Sequence, residues 1–147
     1  MLAIMVAGLM QVQFGAVLGT RGAWQHQEAV LILRDLTGRW QLNREAGPAY
    51  HAALQLPLAS VASEDTCLGT PCAGDPRARA DVAAVAQALS RRLPRPRWRV
   101  EPCLDHPGQC LLLAWAGTEA SSGPEGGCLD AAGQRHPGAS CLVMVLP

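Results

Sequence analysis

The chain begins with an apolar stretch that runs into an amphipathic one without a turn signal between them. Positions 1–20 carry no charged residue, and from Arg21 onwards polar and apolar positions recur with helical spacing. About 20 apolar residues at a rise of ~1.5 Å span the hydrocarbon layer of a bilayer, so this end favours lipid or neighbouring apolar helices. The pattern predicts one long helix, with an apolar membrane or filament-core segment at residues 1–22.

The amphipathic part of this helix has one clear apolar face. Ala29, Leu33, Leu36 and Trp40 recur at spacings of four, three and four, while charged and amide side chains cover the other side. We expect that face to pack on a globular head. The Gly-Pro pair at 47–48 is predicted to end the helix.

A second helix is predicted in the middle of the chain. Asp75 suits the N-cap and Pro76 the first helical position, and apolar residues at helical spacing then continue towards Pro94. The helix should therefore cover about 76–92. Residues 49–66 lack a steady period, which indicates an irregular connection with one turn of helix at 50–54.

The last third of the chain changes to an extended pattern. Apolar and polar residues alternate at 98–101, a turn rich in Pro and Gly follows, and an apolar run covers 111–116, which predicts an antiparallel hairpin. Residues 117–127 indicate a flexible loop, and 141–146 a last strand. The predicted fold class is α+β, with a long N-terminal helix packed on a small antiparallel sheet and one additional helix. The head would comprise residues 23–147, including the C-terminal half of the long helix.

All six cysteines lie in the second half of the chain. An even number in a small domain behind an apolar N-terminus favours disulfides in an oxidising compartment. Bridges between successive cysteines are the simplest connectivity, because each pair flanks a turn or loop, although fifteen pairings are possible. The disulfide candidates are Cys67, Cys72, Cys103, Cys110, Cys128 and Cys141.

A metal site is the alternative use of these cysteines. His106 and His136 each lie inside a cysteine-flanked loop, so a Cys/His cluster is conceivable, but no tight CxxC pair is present. Adjacent acids at 64–65 have no partner that would set two different pKa values. We find no nucleophile elbow, zinc-protease motif or phosphate-binding glycine loop. The sequence therefore predicts no cofactor, no metal and no enzymatic activity.

The charged residues balance, and every basic residue is arginine. No basic face for nucleic acid stands out from this composition. A short basic cluster where the second helix meets the sheet is either a partner-binding patch or a solvated rim; it comprises Arg91, Arg92, Arg95, Arg97 and Arg99. The four tryptophans lie at periodic apolar positions, which predicts core packing: Trp24, Trp40, Trp98 and Trp115.

The order of these parts resembles the type IV pilins, and among them the minor pilins of the PilV family, the type IV pilus modification proteins. The stem-like segments are LAIMVAGLMQVQ and, further on, QEAVLILRDLTGRWQLNREA. The segment CLGTPCAGDPRARADVAAVAQALSRRLP is similar to the family's cysteine pair, second helix and following Leu-Pro. The similarity covers nearly the whole chain.

The start of the chain departs from the family pattern. Pilin precursors begin with a short basic leader, then a glycine at the cleavage point, a phenylalanine, and a glutamate a few residues on. None of these stands before Leu2. We interpret the sequence as truncated, lacking its N-terminal leader and cleavage motif.

The resemblance implies a non-enzymatic minor pilin that takes part in pilus assembly and initiation and in surface adhesion. Its head would lie in the periplasm while its stem is in the inner membrane, and the subunit would then enter the extracellular pilus. Implied partners are other major and minor pilins through the N-terminal helix, the inner membrane before assembly, and a tip adhesin, with no nucleic acid. Loops at 103–110 and 117–141 would carry head-to-head contacts. The implied filament-core contacts are Leu2, Ile4, Val6, Leu9, Val12, Phe14, Gly15, Leu18 and Gly19.

Three other functions remain open. A minor pseudopilin of a type II secretion system would share the stem and head design. A membrane-anchored extracytoplasmic binding or enzymatic domain belongs to a different class and predicts a polar linker between anchor and domain, which the sequence lacks before Gly47. A small disulfide-rich secreted protein would require the first twenty residues to be absent from the mature form.

Overall fold

The computed structural model of the chain describes residues 2–61, 67, 72–123 and 126–147, and it describes side chains from Thr20 onwards. The helices are α1 (Leu2–Leu42), a 3-10 turn (Arg44–Ala46), α2 (Gly47–Leu54), α3 (Leu58–Val61) and α4 (Gly74–Arg92). The strands are β1 (Arg97–Pro102), β2 (Gln109–Ala114), β3 (Glu119–Ser122), β4 (Gly127–Leu129) and β5 (Cys141–Val145).

The predicted long helix is present as one continuous element. Helix α1 has 41 residues, which corresponds to about 60 Å at 1.5 Å per residue. Its predicted apolar face is buried, from Ala29 at 0% exposure to Trp40 at 4%. These residues join the main core. The docking of α1 on the head through this face is therefore confirmed.

The predicted end of this helix is wrong. Helix α1 ends at Leu42, since Asn43 leaves helical geometry with φ −133° and ψ 49°. Gly47 begins α2 instead, and Pro48 lies in its first turn. A proline there is compatible with a helix because the first N–H groups have no partner within the helix. The same residue pair that ends one helix in a sequence pattern can therefore start the next.

The region predicted to be mostly irregular contains two short helices. Tyr50, Leu54, Leu58 and Val61 are buried at helical spacing, with exposures of 0–4%. Pro57 separates the two helices, and its carbonyl accepts hydrogen bonds from the N–H groups of Ser60 and Val61, the last two residues of α3. The remainder of the predicted connection, 62–66, lies outside the described residues.

The second predicted helix is confirmed, but its predicted cap is wrong. Helix α4 begins at Gly74, so Asp75 lies within its first turn, and Ala73 takes the N-cap position without a side-chain hydrogen bond. Gly74 has φ +61°, a conformation that glycine adopts without strain. Its carbonyl accepts a hydrogen bond from Asn43 Nδ2 at 3.0 Å, so this end of α4 is tied to the end of α1.

The main sheet is antiparallel with strand order β1-β2-β5, which confirms the predicted hairpin and last strand. In register, Trp98 lies opposite Leu113, and Leu113 opposite Leu142. Successive side chains of a strand point to opposite faces. Leu111 and Leu113 therefore pack against the helices, whereas Cys110, Leu112 and Ala114 face a second, smaller core.

The segment that the sequence predicts to be a flexible loop packs on the second core, to which it contributes Ala120. The strands β3 and β4 pair there in parallel with an irregular register. Glu119 N donates to Gly126 O at 2.8 Å, and Ser122 N donates to Glu101 Oε1 at 3.1 Å. The loop prediction for 117–127 is wrong because these long-range bonds fix a segment whose own composition favours turns. Residues 124–125 lie outside the described part of the chain.

Three disulfides join successive cysteines, as the simplest connectivity predicts. Cys67 is bonded to Cys72, Cys103 to Cys110, and Cys128 to Cys141. Cys128 and Cys141 are buried in the second core at 0% and 2% exposure. Since all six sulfurs are engaged, no thiolate is left to ligate a metal, which argues against the Cys/His cluster. The described residues contain no other group of His, Cys, Asp or Glu that could hold one.

Candidate functional site

Helices α1, α2 and α4 meet at one buried carboxylate. Asp81 of α4 is 5% exposed and is the charged residue found buried among the described side chains. A buried charge is costly unless it is paired and hydrogen-bonded. The partners of Asp81 therefore decide how firmly α1 is held to the head.

Both carboxylate oxygens of Asp81 have partners from other helices. Tyr50 Oη of α2 donates to Oδ2 at 2.7 Å, and Arg39 Nη1 of α1 donates to Oδ1 at 3.1 Å. Arg77 Nε lies 3.8 Å from Oδ2. The carboxylate thus links three helices, and we call this group, Arg39, Tyr50 and Asp81, the helix junction.

The pKa values of the partners follow from this arrangement. Burial, together with the hydrogen bond to the Asp81 carboxylate, raises the pKa of Tyr50 to about 12. For Arg39, partial burial lowers the pKa, but hydrogen bonds to Asp81 and to Asp35 outweigh it, and the net pKa lies above the ordinary value. Around neutral pH the junction therefore contains a neutral phenol and a charged guanidinium.

Aromatic packing continues the junction on its apolar side. The rings of Trp40 and Tyr50 stack with centroids 4.7 Å apart and planes at 11°. His51 packs edge-on against Trp40 at 5.0 Å and 85°. Offset-stacked and edge-on geometries are the favourable ones for aromatic pairs. Helix α2 is therefore attached to α1 by packing as well as through Asp81.

Helical periodicity alone does not identify Asp81 as a functional residue, because charged residues on a helix are ordinarily solvated. One signal is nevertheless present. Asp81 lies three residues after Ala78 and four before Val85, both of which face the core. A single acid at an apolar position of an amphipathic helix is a candidate for a buried pair, and a tyrosine or arginine elsewhere must then satisfy it.

The predicted filament-core residues lie on the N-terminal part of α1. The structure describes residues 2–19 as helix, and their side chains lie outside what it describes. Among the helices whose residues are described, none combines the length and apolar composition that crossing a membrane requires. The backbone alone makes this part of α1 continuous with the docked part.

The outward face of α1 carries exposed apolar side chains. Trp24, Leu31 and Leu42 are 47%, 61% and 88% exposed, and their spacing of seven and eleven residues places them on one side of the helix. The prediction of core packing is therefore wrong for Trp24. It is confirmed for Trp40, Trp98 and Trp115, which are 2–7% exposed.

The two loops predicted to carry head contacts lie side by side. They line one groove of about 400 Å³ on the outer face of the sheet, with Leu104 from the first loop, Arg135 from the second, and Val143 and Val145 from β5. A Cβ added to Gly133 would lie 3.6 Å from Leu104 Cβ, so the loops are in close contact. The groove is a candidate contact surface of the head.

A small α+β head carried on a much longer N-terminal helix is the pilin-like arrangement. The family model for Tt1218-like type IV pilins, described as type IV pilin Tt1218, matches residues 10–83. The match covers half of the chain and includes the helix junction, and the chain belongs to this family. No curated protein and no solved structure matches the chain in the corresponding comparisons.

Proposed function

We propose that the chain is a minor type IV pilin of the PilV kind, which helps to start pilus assembly and influences surface adhesion. The observation that supports this most is the unbroken helix α1 (Leu2–Leu42), whose buried contacts with the head begin at Ala29. Among the described side chains of α1, those buried against the head lie in its second half, and the first half would serve for contacts with other subunits. Membership of the type IV pilin family supports the same role.

The first 22 residues would serve as the membrane and filament-core segment, and residues 23–147 as the head. Before assembly the stem would be held in the inner membrane and the head would lie in the periplasm, where the three disulfides are compatible with the oxidising environment. In the extracellular pilus, the stems of other major and minor pilins would replace the lipid around it. Leaving lipid is acceptable for an apolar helix when neighbouring helices pack closely against it.

The filament-core contacts would come from the apolar and small residues of the stem. Gly15 and Gly19 would allow a close approach between helices, and larger side chains such as Leu9 and Phe14 would fill the space between them. The exposed stripe of Trp24, Leu31 and Leu42 extends this apolar surface past the stem. A tip adhesin is the further partner that such a minor subunit would serve.

A non-enzymatic role fits the polar residues of the head. Asp81 is fully engaged by its helix partners, and every cysteine is bonded to another. A general base or a nucleophile would need a free group beside a substrate pocket. These residues instead stabilise the head.

Two alternatives are less well supported. A minor pseudopilin would share the architecture, but the matching family is one of type IV pilins. A membrane-anchored binding or enzymatic domain predicts a polar linker after its anchor, whereas α1 continues as one helix into the head core.

Deletion of the gene tests the proposal. Loss of a minor pilin should reduce the number of surface pili and adhesion to surfaces, and the wild-type gene should restore both. Secretion of proteins through the type II system should not change. Normal piliation with a specific secretion defect would contradict the proposal in favour of a pseudopilin. Normal piliation, adhesion and secretion would contradict both the pilin and the pseudopilin.

A further inference from the structure

Several arginines lie at the end of the head from which the stem emerges. Helix α4 runs antiparallel to α1, since its first residue is tied to Asn43 and Arg92 Nε near its end lies 3.9 Å from Glu28 Oε2. The turn into β1 follows directly and lies beside Trp115, whose ring is 6.3 Å from that of His26. We call the exposed side chains of Arg91, Arg92, Arg95 and Arg97 the arginine rim.

The rim is only partly neutralised by acids. Arg92 has a long ion pair with Glu28, and Arg97 pairs with Glu119. Arg91 contacts the neutral Gln87 at 3.4 Å. Together with Arg21 on α1, the rim supplies five arginines against these two acids, a formal charge of +3 in a chain whose net charge is zero.

Arg95 is held in an unusual conformation. Its φ is +51°, in the left-handed region that side chains other than glycine rarely adopt. The facing residue, Ala116, has φ +56° and donates its N–H to Pro94 O at 2.8 Å. Such strain persists only where the surrounding structure fixes it, and it often occurs at functional positions. Among the described residues, no acid pairs with Arg95.

The neighbouring part of α1 has the composition of a membrane interface. Trp24 is 47% exposed, lies one turn before Glu28 on the same side of the helix, and follows the uncharged segment at 1–20. Tryptophan is enriched at the level of lipid headgroups. Glu28 contacts Arg92 of the arginine rim, and it lies about 10 Å along the helix from Arg21 at 1.5 Å per residue. The rim is therefore close to the end of the uncharged segment.

From these observations we infer that the arginine rim binds the phosphates of anionic phospholipids at the membrane surface where the stem emerges. Arginine suits this task because its planar guanidinium donates two hydrogen bonds to one phosphate. The inference rests on the proposed function, because the stem must be in the membrane for the rim to reach lipid. The location of the rim beside Trp24 and the stem favours lipid over nucleic acid or an acidic protein.

The test measures partition of the full chain, purified in neutral detergent, into vesicles. One set contains phosphatidylcholine alone, and the other contains phosphatidylcholine with phosphatidylglycerol at a ratio of about 7:3. We expect wild type to prefer the anionic vesicles by about a hundredfold, since each arginine near an anionic surface contributes roughly a fivefold factor and the rim with Arg21 carries a formal charge of +3. High salt should remove the preference but not the binding itself, because salt screens exposed charges.

Two matched double variants identify the residues responsible. R91Q/R95Q removes two rim charges, and R44Q/R79Q removes two exposed charges at the other end of the head. None of the four arginines has an ion pair among the described residues, so both variants should unfold at the same temperature as wild type. R91Q/R95Q should lower the preference for anionic vesicles by roughly 25-fold, because two fivefold factors are lost, while R44Q/R79Q should leave it unchanged.

The outcomes separate this inference from the proposed function. Binding to both kinds of vesicle without a preference would overturn lipid binding by the arginine rim but not the proposed function. An equal loss of the preference in both double variants would do the same. Failure to bind phosphatidylcholine vesicles would overturn the membrane-held stem and the rim with it. Binding to a short DNA duplex that R91Q/R95Q abolishes, without any lipid preference, would replace lipid by nucleic acid as the partner.

Discussion

The hydroxyl of Tyr50 donates a hydrogen bond to Asp81 Oδ2 at 2.7 Å, across 31 positions of the chain. This bond joins α2 to α4, and Arg39 brings α1 to the same carboxylate. These bonds attach α1 to the head at a defined place. The helix junction supplies that attachment in addition to the apolar contacts.

Replacing Asp81 with alanine should destabilise the head strongly. The substitution leaves the buried Tyr50 hydroxyl without its acceptor, which costs about 1–3 kcal/mol. Arg39 is 38% exposed and keeps its ion pair with Asp35, so it adds less to the loss. The free energy of unfolding, from denaturant titration followed by near-UV circular dichroism, measures the effect. Asp105→Asn is the control because the Asp105 side chain is 78% exposed. Equal, small losses in both variants would contradict the role of the junction.

The ionisation of Tyr50 gives a spectroscopic test of the same site. The chain contains a single tyrosine, so tyrosinate absorbance near 295 nm reports Tyr50 alone. In the folded protein its pKa is raised to about 12, against about 10 in an unfolded chain. The stability from this group should therefore be complete below pH ~10 and decline as pH rises towards ~12. A folded-state midpoint near 10 would show that the hydroxyl is not bonded to Asp81.

The disulfides should contribute unequally to stability. The loop closed by Cys128 and Cys141 spans 13 residues, and the chain-entropy account assigns about 3 kcal/mol to a loop of that size, against roughly 2 kcal/mol for a loop half as long. Because both sulfurs also fill the second core, the double alanine variant should lose more than the Cys67/Cys72 equivalent. Thermal unfolding of the two double variants compares them. The reverse order would argue against the second core.

The two faces of α1 should differ sharply in how much an alanine substitution lowers the free energy of unfolding. Leu36 is 0% exposed and Leu31 is 61% exposed. Leu36→Ala should reduce the free energy of unfolding by about 2–5 kcal/mol, as in other cores, while Leu31→Ala should change it by less than about 0.5 kcal/mol. Denaturant unfolding of both variants provides the comparison. Equal sensitivity would mean that α1 is not docked through the face of Ala29, Leu33, Leu36 and Trp40.

The architecture could be predicted where periodicity and burial agree. The docked face of α1 and the hairpin of β1 and β2 follow from spacing alone, because one continuous core covers them. The end of α1 could not be predicted, since Gly47 and Pro48 are equally suited to stop one helix and to start another. The predicted N-cap of α4 is wrong for a similar reason, because Ala73 takes the position for which Asp75 is the better candidate by residue type.

The features that depend on distant contacts were not predictable from local patterns. Strand β3 is polar and rich in serine, and it is held by Glu101, which precedes it by about twenty positions. The importance of Asp81 likewise depends on Tyr50 and Arg39, which lie on other helices. In both cases a polar residue that composition assigns to solvent is fixed by a partner far away in the chain.

The presence of the chain in purified pili tests the account most directly. Pili sheared from cells carrying wild type, Leu9→Arg or Arg79→Gln would be examined by quantitative mass spectrometry. We predict that wild type and Arg79→Gln occur in the filaments at a small fraction of the major pilin, and that Leu9→Arg is missing although its disulfide-bonded head is still produced. A wild-type chain absent from the filaments, or a Leu9→Arg chain incorporated as well as wild type, would contradict the claim that this stem makes the protein a pilus subunit.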